Sequence, residues 1–484
     1  MRLVSDTINI LSELYKNATG SKPVTIHPIA GSGSQRKYFR VTGPDNSVIA
    51  TLSENTSENE AFFHIASVFS KAGVAVPEVL YISRDRTAYL QTDLGNVSLL
   101  DLVERSWLQG SFHPSLLDFY REALEKLIHI QFKAGQAIRY SKCYPEASFN
   151  RKSIREDMNY FRYYFLKMHN IELNESKLNL TFDHFARKLA SVDSNSFMYR
   201  DFQARNIMVH MGSIYFIDFQ GGRKGPALYD LASILYQGKA RIPESYRLQL
   251  KDYYFDKAGL LDLNKRSTAE EQYYLFVYLR LMQVLGAYGY RGLIQKKSHF
   301  IESIPYTLNE LNHLLSEHPL KPEFNDLNDI LRRAVAVKDQ YINPASERNN
   351  SLIIRVNSFS YKKSGIPVDE SGNGGGFVFD CRSLPNPGRD KRFKSLTGKD
   401  KEVKILLGKE TEVQRYLAHA HVLVEQTVAN YMARNFTDLM ISFGCTGGQH
   451  RSVFCAEQTA LFLKKRFPEL KVIVKHPELN ELYF

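Results

Sequence analysis

Residues 199–218, YRDFQARNIMVHMGSIYFID, restrict the fold of this 484-residue chain more than any other stretch. Two short apolar runs, 206–209 and 214–219, flank the turn Met211-Gly212-Ser213, a pattern that predicts a hairpin entered from a loop. Such a hairpin gathers Asp201, Asn206 and Asp218 around one point. A carboxylate aimed at a hydroxyl, with two oxygen ligands for a divalent cation, is what metal-assisted phosphoryl transfer requires. Singly, Asp and Asn at these places are ordinary turn and capping residues; the combination is what points to chemistry.

The pattern around this segment changes twice. From Val24 to about Ser53 short β-like runs alternate around the Gly/Ser loop GSGSQRK, residues 31–37, and an amphipathic helix begins at Glu58. A strand pair at 79–82 and 88–92 follows, so a small sheet-rich lobe is expected over about 1–95. Helical, aromatic segments such as 156–168 and 272–290 predict a helical lobe, about 96–320, that holds the hairpin. A charged helical linker with Pro-containing flanks is expected over 321–350, and strand signals at 352–356 open a second domain, 351–484. The insertion ESGNGGG, 370–376, predicts a hairpin tip rather than a phosphate loop, because no helix pattern follows it.

A hydrophobic content of 43% suits packed cores, and the length suits about three domain-sized units. No apolar run approaches the ~18 residues of a membrane span, and the amphipathic start, residues 1–14, lacks the features of a signal peptide; it is expected to be a capping helix of a cytoplasmic protein. Cys143, Cys381, Cys445 and Cys455 are spaced for neither a disulfide framework nor a zinc cluster, so reduced thiols are expected. The net charge of +11 suits nucleic acid and sugar-phosphate handling equally.

Gly31, Ser32, Gly33 and Ser34 could wrap backbone amides around nucleotide phosphates. Glycine loop, helix, connector, catalytic loop and metal carboxylate in that order predict a bilobal, protein-kinase-like α+β fold. Over about residues 5–320 the chain resembles the aminoglycoside phosphotransferase superfamily, and within it the AmgK group of anomeric kinases, which act on N-acetylmuramate and N-acetylglucosamine at C1. The resemblance rests on SGSQRKYFRV (32–41), GVAVPEVL (73–80), DLG (93–95), RDFQARNIMV (200–209) and IDFQGGRKGPALYDLASIL (217–235). It implies ATP and Mg²⁺ as cofactors, Asp201 as base, Asn206 and Asp218 as metal ligands, and Arg205 as a neutraliser of the transferred phosphate. It also implies a hinge at Gln91 to Leu94, Asp93 included, facing adenine, and a structural brace at Asp230.

Two departures stand out. Tyr199 occupies the place of the usual catalytic-loop His, and the strand run 48–52 lacks the lysine that many kinases pair with a helix glutamate. Lys37 or Arg40 is expected to take over phosphate holding, with Glu58 and Glu60 as candidate partners. Asp157, Tyr160 and Arg280 lie on helices expected to flank the acceptor site.

In the second domain ISFGCTGGQHRSVFC, 441–455, predicts a strand, a Gly-rich turn and a helix opening near Arg451, an arrangement that converges amides on an anion. Cys445 and Arg451-Ser452 also match the spacing of a cysteine-phosphatase loop. Over about 352–479 the chain resembles the C-terminal domain of the RNase adapter RapZ, by VNSFSYKKSGIPVDE (356–370), FVFDCRSLPNP (377–387), LTGKDKEV (396–403) and GCTGGQHRSV (444–453). That implies an α/β domain in which Thr446, Gly447, Gly448, His450 and Arg451 hold a phosphate and Asp380, Arg382 and Asn386 read an amino sugar. The tail after Val474 is acidic and apolar where RapZ ends in a basic cluster, which speaks against RNA as a partner. An amino-sugar kinase for cell-wall recycling, fused to a sensor of amino-sugar phosphate, is therefore expected. A pseudokinase scaffold with an RNA-binding adapter, and a kinase for aminoglycosides or another small alcohol, are the alternatives.

Overall fold

Alternation of side chains along the first strands builds the N-terminal lobe. β1 (Thr25–Ile29), β2 (Lys37–Thr42), β3 (Ser47–Leu52), β4 (Val79–Ile82) and β5 (Ala88–Thr92) form an antiparallel sheet in the order β1-β2-β3-β5-β4. Val41, Val48, Ala50, Ala88 and Leu90 point to one face and bury Leu11, Leu14 and Tyr15 of the helix Arg2–Thr19. Alternate positions, among them Tyr38, Arg40, Ile49 and Gln91, face the opposite way, into a cleft. Helix Thr56–Lys71 packs Phe62, Phe63 and Ile65 beside Tyr89 on that side, its N-terminus capped by Asn55, whose side chain accepts from the Glu58 amide.

The structure is a computed structural model that describes residues 2–29, 36–44, 46–259, 263–341, 352–369, 371, 375–433, 436–468, 470–479 and 481–483. These fall into two compact units, 1–342 and 343–484. Most of the expected tip ESGNGGG lies outside the described residues.

Below the sheet, helices dominate. The 26-residue helix Leu263–Tyr288 buries Tyr273, Phe276, Val277, Leu281 and Leu285 and crosses Arg151–Phe161 closely. Gly286 makes that approach possible: a Cβ there would sit 2.7 Å from the Phe161 nitrogen. Two small ribbons sit among the helices. β6 (Ser196–Met198) pairs with β9 (Arg223–Gly225), and β7 (Ile207–His210) pairs with β8 (Ser213–Phe216). Met211 and Gly212 between β7 and β8 have φ of 49° and 78°, the left-handed pair that matches hairpin twist.

The linker expected over 321–350 is not a free connector as far as it is described. Helix Asn325–Ala336 carries apolar residues at helical spacing, and Leu327, Ile330, Leu331 and Ala334 are buried in the core of the first unit, followed by Val337.

The second unit is an α/β layer. β10 (Ile353–Ser360), β11 (Gly376–Asp380), β12 (Asp438–Cys445), β13 (Lys471–His476) and β14 (Glu481–Tyr483) run in the order β11-β12-β10-β13-β14, parallel except for β14. β12 is buried along its whole length, as a central parallel strand should be. The four cysteines are free, three of them buried. Among the described residues no helix is long and apolar enough to cross a membrane.

Candidate active site

The loop before β7 is held by buried groups. Asp230, fully buried on helix Ala227–Leu235, accepts the backbone N–H of Tyr199 at 2.7 Å and of Arg200 at 2.9 Å. Tyr199, in the place of the usual His, is itself buried, and its hydroxyl donates to the Ile217 carbonyl at 2.6 Å. One side chain thus ties the loop to the residue before Asp218. Arg200 and Asp218 have φ of 80° and 66°, left-handed values that non-glycine residues keep only when their surroundings enforce them.

Asp201, Asn206 and Asp218 do converge. Asn206 Nδ2 donates to the Asp201 carbonyl at 2.8 Å and lies 3.5 Å from Asp218 Oδ2. That spends the amide nitrogen on the loop and leaves Oδ1 as a donor atom. Gln220 Nε2 donates to Asp218 Oδ1 at 2.7 Å. Burial, and then the Asp201 charge, push the Asp218 carboxyl above its usual range. One amide oxygen and one carboxylate that gains from an added positive charge fit a hard divalent cation. Among the described residues no three His, Cys, Asp or Glu side chains cluster to hold a metal by themselves, so phosphate and water oxygens would have to complete such a shell.

All three residues line one cavity of about 840 Å³ between the lobes. Burial alone would raise the Asp201 carboxyl, but Arg280, Arg200 and Arg205 outweigh it and hold it at about 2. Arg280, from the long helix Leu263–Tyr288, donates to Asp201 Oδ1 at 3.0 Å and to the Tyr229 hydroxyl at 3.2 Å. Tyr229 also accepts from Arg200 at 2.8 Å, and Arg200 grips Asp157 with bonds of 2.8 and 2.6 Å. A buried chain from Asp157 through Arg200, the Tyr229 hydroxyl and Arg280 therefore ends on Asp201. Arg280 is in the cavity, as the acceptor-side reading expected. Asp157 is spent on Arg200, and Tyr160 packs against Tyr164 and Tyr290; neither lines the cavity.

The cation that stands beside the helix glutamate is not one of the two expected. Lys37 is exposed and does not line the cavity, because positions 36, 38 and 40 face the cleft and 37 faces away. Arg40 lines the cavity but is engaged by Asp93, bidentately at 2.6 and 2.8 Å, and Asp93 also accepts from Ser47. Arg40 and Asp93 thus brace the hinge and neutralise each other. Arg36 instead is buried in the cavity wall, 3.2 Å from Glu58, with the Tyr89 hydroxyl at 3.0 Å and Asn59 at 3.2 Å. Glu60 pairs with Arg86 at the surface, which leaves Glu58 as the helix glutamate of the site. The alternation of Arg36, Tyr38 and Arg40 was the sequence signal for this arrangement.

Among the buried atoms of the cavity wall that have no hydrogen-bond partner within the described residues are Gln91 Oε1, Arg205 Nε and Arg280 Nε. An acceptor facing an adenine amine and a donor facing phosphate are what a nucleotide would satisfy. Gly31, Ser32, Gly33 and Ser34 lie outside the described residues.

In the second unit the loop after β12 turns at the C-terminal ends of the parallel strands, where open α/β sheets bind ligands. Thr446 and Gly447 are exposed, and a Cβ on Gly447 would meet nothing within 4 Å. Gly448 is buried at φ 68°, and its N–H donates to Cys445 Sγ at 3.2 Å. Burial would raise the Cys445 thiol, yet Ser452, the Gly448 amide and Arg451 bring it below its usual value. His450 is hydrogen-bonded through Nε2 to the Phe393 carbonyl at 2.8 Å. Arg451, expected to hold phosphate, is 5% exposed and donates to the carbonyls of Arg382 and Leu384, so it fixes a neighbouring loop. Asp380 and Arg382 chelate each other, and Asn386 caps its own turn through the Gly388 amide. Of the expected set, Thr446 and Gly447 are exposed and, among the described residues, make no side-chain bond; Asp380, Arg382 and Asn386 are exposed with the local bonds just given, and Gly448, His450 and Arg451 are buried.

Residues 25–263 match the model described as the phosphotransferase enzyme family, and residues 352–480 match that of the RapZ C-terminal domain. A nucleotide-binding protein of Methylobacillus flagellatus is 37% identical over 135 residues, 28% of this chain and 45% of that protein. The chain spans about half the length of the curated relatives it matches. The structure of spectinomycin phosphotransferase APH(9)-Ia with ADP and spectinomycin aligns at TM-score 0.44 and 14% identity, over 69% of this chain and 98% of that one. Plasmodium vivax ethanolamine kinase aligns at TM-score 0.45 and 12% identity, over 64% and 86%. Residues 25–263 are a domain of the phosphotransferase enzyme family, and residues 352–480 are a RapZ C-terminal domain.

Proposed function

We propose that the first unit is an ATP- and Mg²⁺-dependent kinase that phosphorylates an amino sugar of the N-acetylmuramate or N-acetylglucosamine type at C1, as in cell-wall recycling. The observation that carries this reading is the convergence of Asp201, Asn206 and Asp218 in one cavity, with the Arg36–Glu58 pair in the same wall.

Asp201, kept ionised by Arg280, orients the sugar hydroxyl and takes its proton as the oxygen attacks the γ-phosphorus; the bond from that phosphorus to the ADP oxygen breaks. A carboxylate held at about 2 is a weak base, so orientation is the larger share of its work. Arg205 faces the transferred group, Arg36 the nucleotide phosphates, and Gln91 the base edge. A divalent cation on Asn206 and Asp218 would offset charge on the phosphate oxygens. The second unit is proposed to take an amino-sugar phosphate at Thr446 and Gly447.

Coupled-enzyme assays with ATP and each sugar, with phosphorus NMR to locate the new ester, test the reading. Asp201→Asn and Asp218→Ala should each lower turnover by roughly 10²–10⁴-fold with circular dichroism unchanged. Normal turnover by Asp218→Ala would overturn it.

A further inference from the structure

Glu58 and Asp218 reach the cleft from opposite lobes, Glu58 from the first turn of helix Thr56–Lys71 and Asp218 from the segment after β8. Two carboxylates side by side repel, and a neutral donor shared between them relieves the repulsion. Gln220 is that donor. Its Nε2 donates to Asp218 Oδ1 at 2.7 Å and to Glu58 Oε1 at 3.4 Å. An amide turned the other way would set its oxygen against both carboxylates, so the chemistry fixes its orientation. The side chain is 7% exposed, lines the cavity, and stands 162 positions along the chain from Glu58.

The neighbouring aromatic residue sets the distance this bridge must span. Phe219, fully buried, stacks on Phe62 with ring centres 5.1 Å apart and planes 8° from parallel, and lies 5.4 Å from Phe69. Phe62 follows Glu58 by one helical turn, so the stack holds the glutamate's end of the helix against residues 218–220. The apolar contact fixes the spacing, and the polar contact beside it decides what each carboxylate can do.

With Oδ1 bonded to Gln220, Asp218 presents Oδ2 on the Asn206 side. The Glu58 oxygen that accepts from Gln220 also stands 3.2 Å from Arg36 Nε, and Arg36 is held in turn by the Tyr89 hydroxyl and Asn59. One amide therefore joins the candidate metal ligand of one lobe to the glutamate–arginine pair of the other. A partner that orients a ligand in this way is worth as much to a cation site as some of the ligands themselves.

We infer that Gln220 is a positioning residue that couples the two lobes: it orients Asp218 towards a divalent cation when Glu58 and Arg36 are in place, so that cation and nucleotide phosphates favour each other's binding. This rests on the kinase reading for the identity of both ligands, while the bridge itself stands on its two hydrogen bonds and on the stack that fixes their distance.

Mn²⁺ binding to the full chain saturated with β,γ-imido-ATP, read by electron paramagnetic resonance, tests the coupling apart from turnover. Gln220→Met keeps the length of the side chain and removes the donor; it should weaken Mn²⁺ binding by roughly tenfold or more, with circular dichroism unchanged. Gln220→Asn, one methylene too short to span both carboxylates, is the second variant and should fall the same way. Glu58→Gln, on the other lobe, should weaken Mn²⁺ binding by roughly threefold, and combined with either Gln220 variant it should add nothing further. A charge effect through space would persist without Gln220 and make the losses additive. Additive losses, or full Mn²⁺ affinity in the Gln220 variants, overturn the proposal. In steady-state kinetics the same variants should lower kcat and raise the Mg²⁺ concentration for half-maximal rate with the acceptor's KM unchanged, and a change confined to that KM counts against the role. A non-additive Mn²⁺ cycle in a chain that phosphorylates none of the sugars sinks the kinase reading and keeps the bridge, whereas sugar turnover with an additive cycle does the reverse.

Discussion

Arg280 shows how one buried side chain can set the character of a site. It holds Asp201 ionised, yet it also occupies Oδ1 and so leaves the other carboxylate oxygen for an acceptor hydroxyl. A residue that positions in this way affects kcat more than binding. Arg280→Met should lower kcat by roughly 10–10²-fold, the effect of small misplacements at reacting groups, while KM for ATP changes little. Arg280→Lys keeps the charge, but one ammonium cannot span Asp201, Tyr229 and Gln283 as the guanidinium does, so it should recover only part of the loss. Steady-state kinetics against both substrates decide it; a rise in the acceptor's KM with kcat intact would make Arg280 a binding group instead. Asp201, Asn206 and Asp218 could be found in the sequence because one hairpin carries all three. Arg280 could be placed on the acceptor side but not on the base, because 79 residues separate it from Asp201 and only the packing of the long helix brings them together.

At the scale of elements, the pleat of β2 explains the main correction to the sequence reading. A lysine on β3 was missing, and Lys37 and Arg40 were the expected substitutes. The two-residue period turns Lys37 away from the cleft and places Arg36 inward against Glu58. Arg40 joins Asp93 to tie β2 to the hinge after β5. Burial would raise the Asp93 carboxyl, but its bonds to Arg40, to Ser47 and to the Gly95 amide bring it below the usual carboxylate value. Its folded value therefore lies below its unfolded one, ~3.9. The bond then contributes stability at pH above ~4 that is lost as pH falls through the folded value. Asp93→Asn should lower the urea midpoint at pH 7 and flatten its decline between about pH 5 and 3. An unchanged acid slope would show that the hinge brace carries no linked proton. Fold class was legible because strand alternation and helical periodicity are local. The membership of helix Asn325–Ala336 in the first core was not, because a charged amphipathic helix looks the same in a linker until its apolar face finds a partner.

For the whole molecule, each unit has its own core and its own candidate ligand loop, so their proposed ligands can be tested independently in the full chain. Both loops lie at strand ends, yet the chemistry differs. The first unit surrounds a carboxylate with arginines to move a phosphoryl group, and the second uses a glycine turn whose arginine is spent on loop carbonyls. A site of the second kind would hold a phosphate through amides and a hydroxyl, with its buried arginine turned to loop carbonyls rather than to the ligand. That suits a sensor better than a hydrolase, despite the lowered Cys445 thiol. Glucosamine-6-phosphate should therefore bind the full chain without being consumed. Gly447→Val, which adds a side chain to open space at a backbone conformation that tolerates it, should weaken binding by roughly tenfold or more with the melting temperature little changed. Asp218→Ala should leave that binding in place, because it alters only the other unit. Calorimetry with phosphate release followed in parallel checks all three. Inorganic phosphate appearing in proportion to Cys445 would instead make the loop a phosphatase, and no heat at millimolar ligand would remove the sensor.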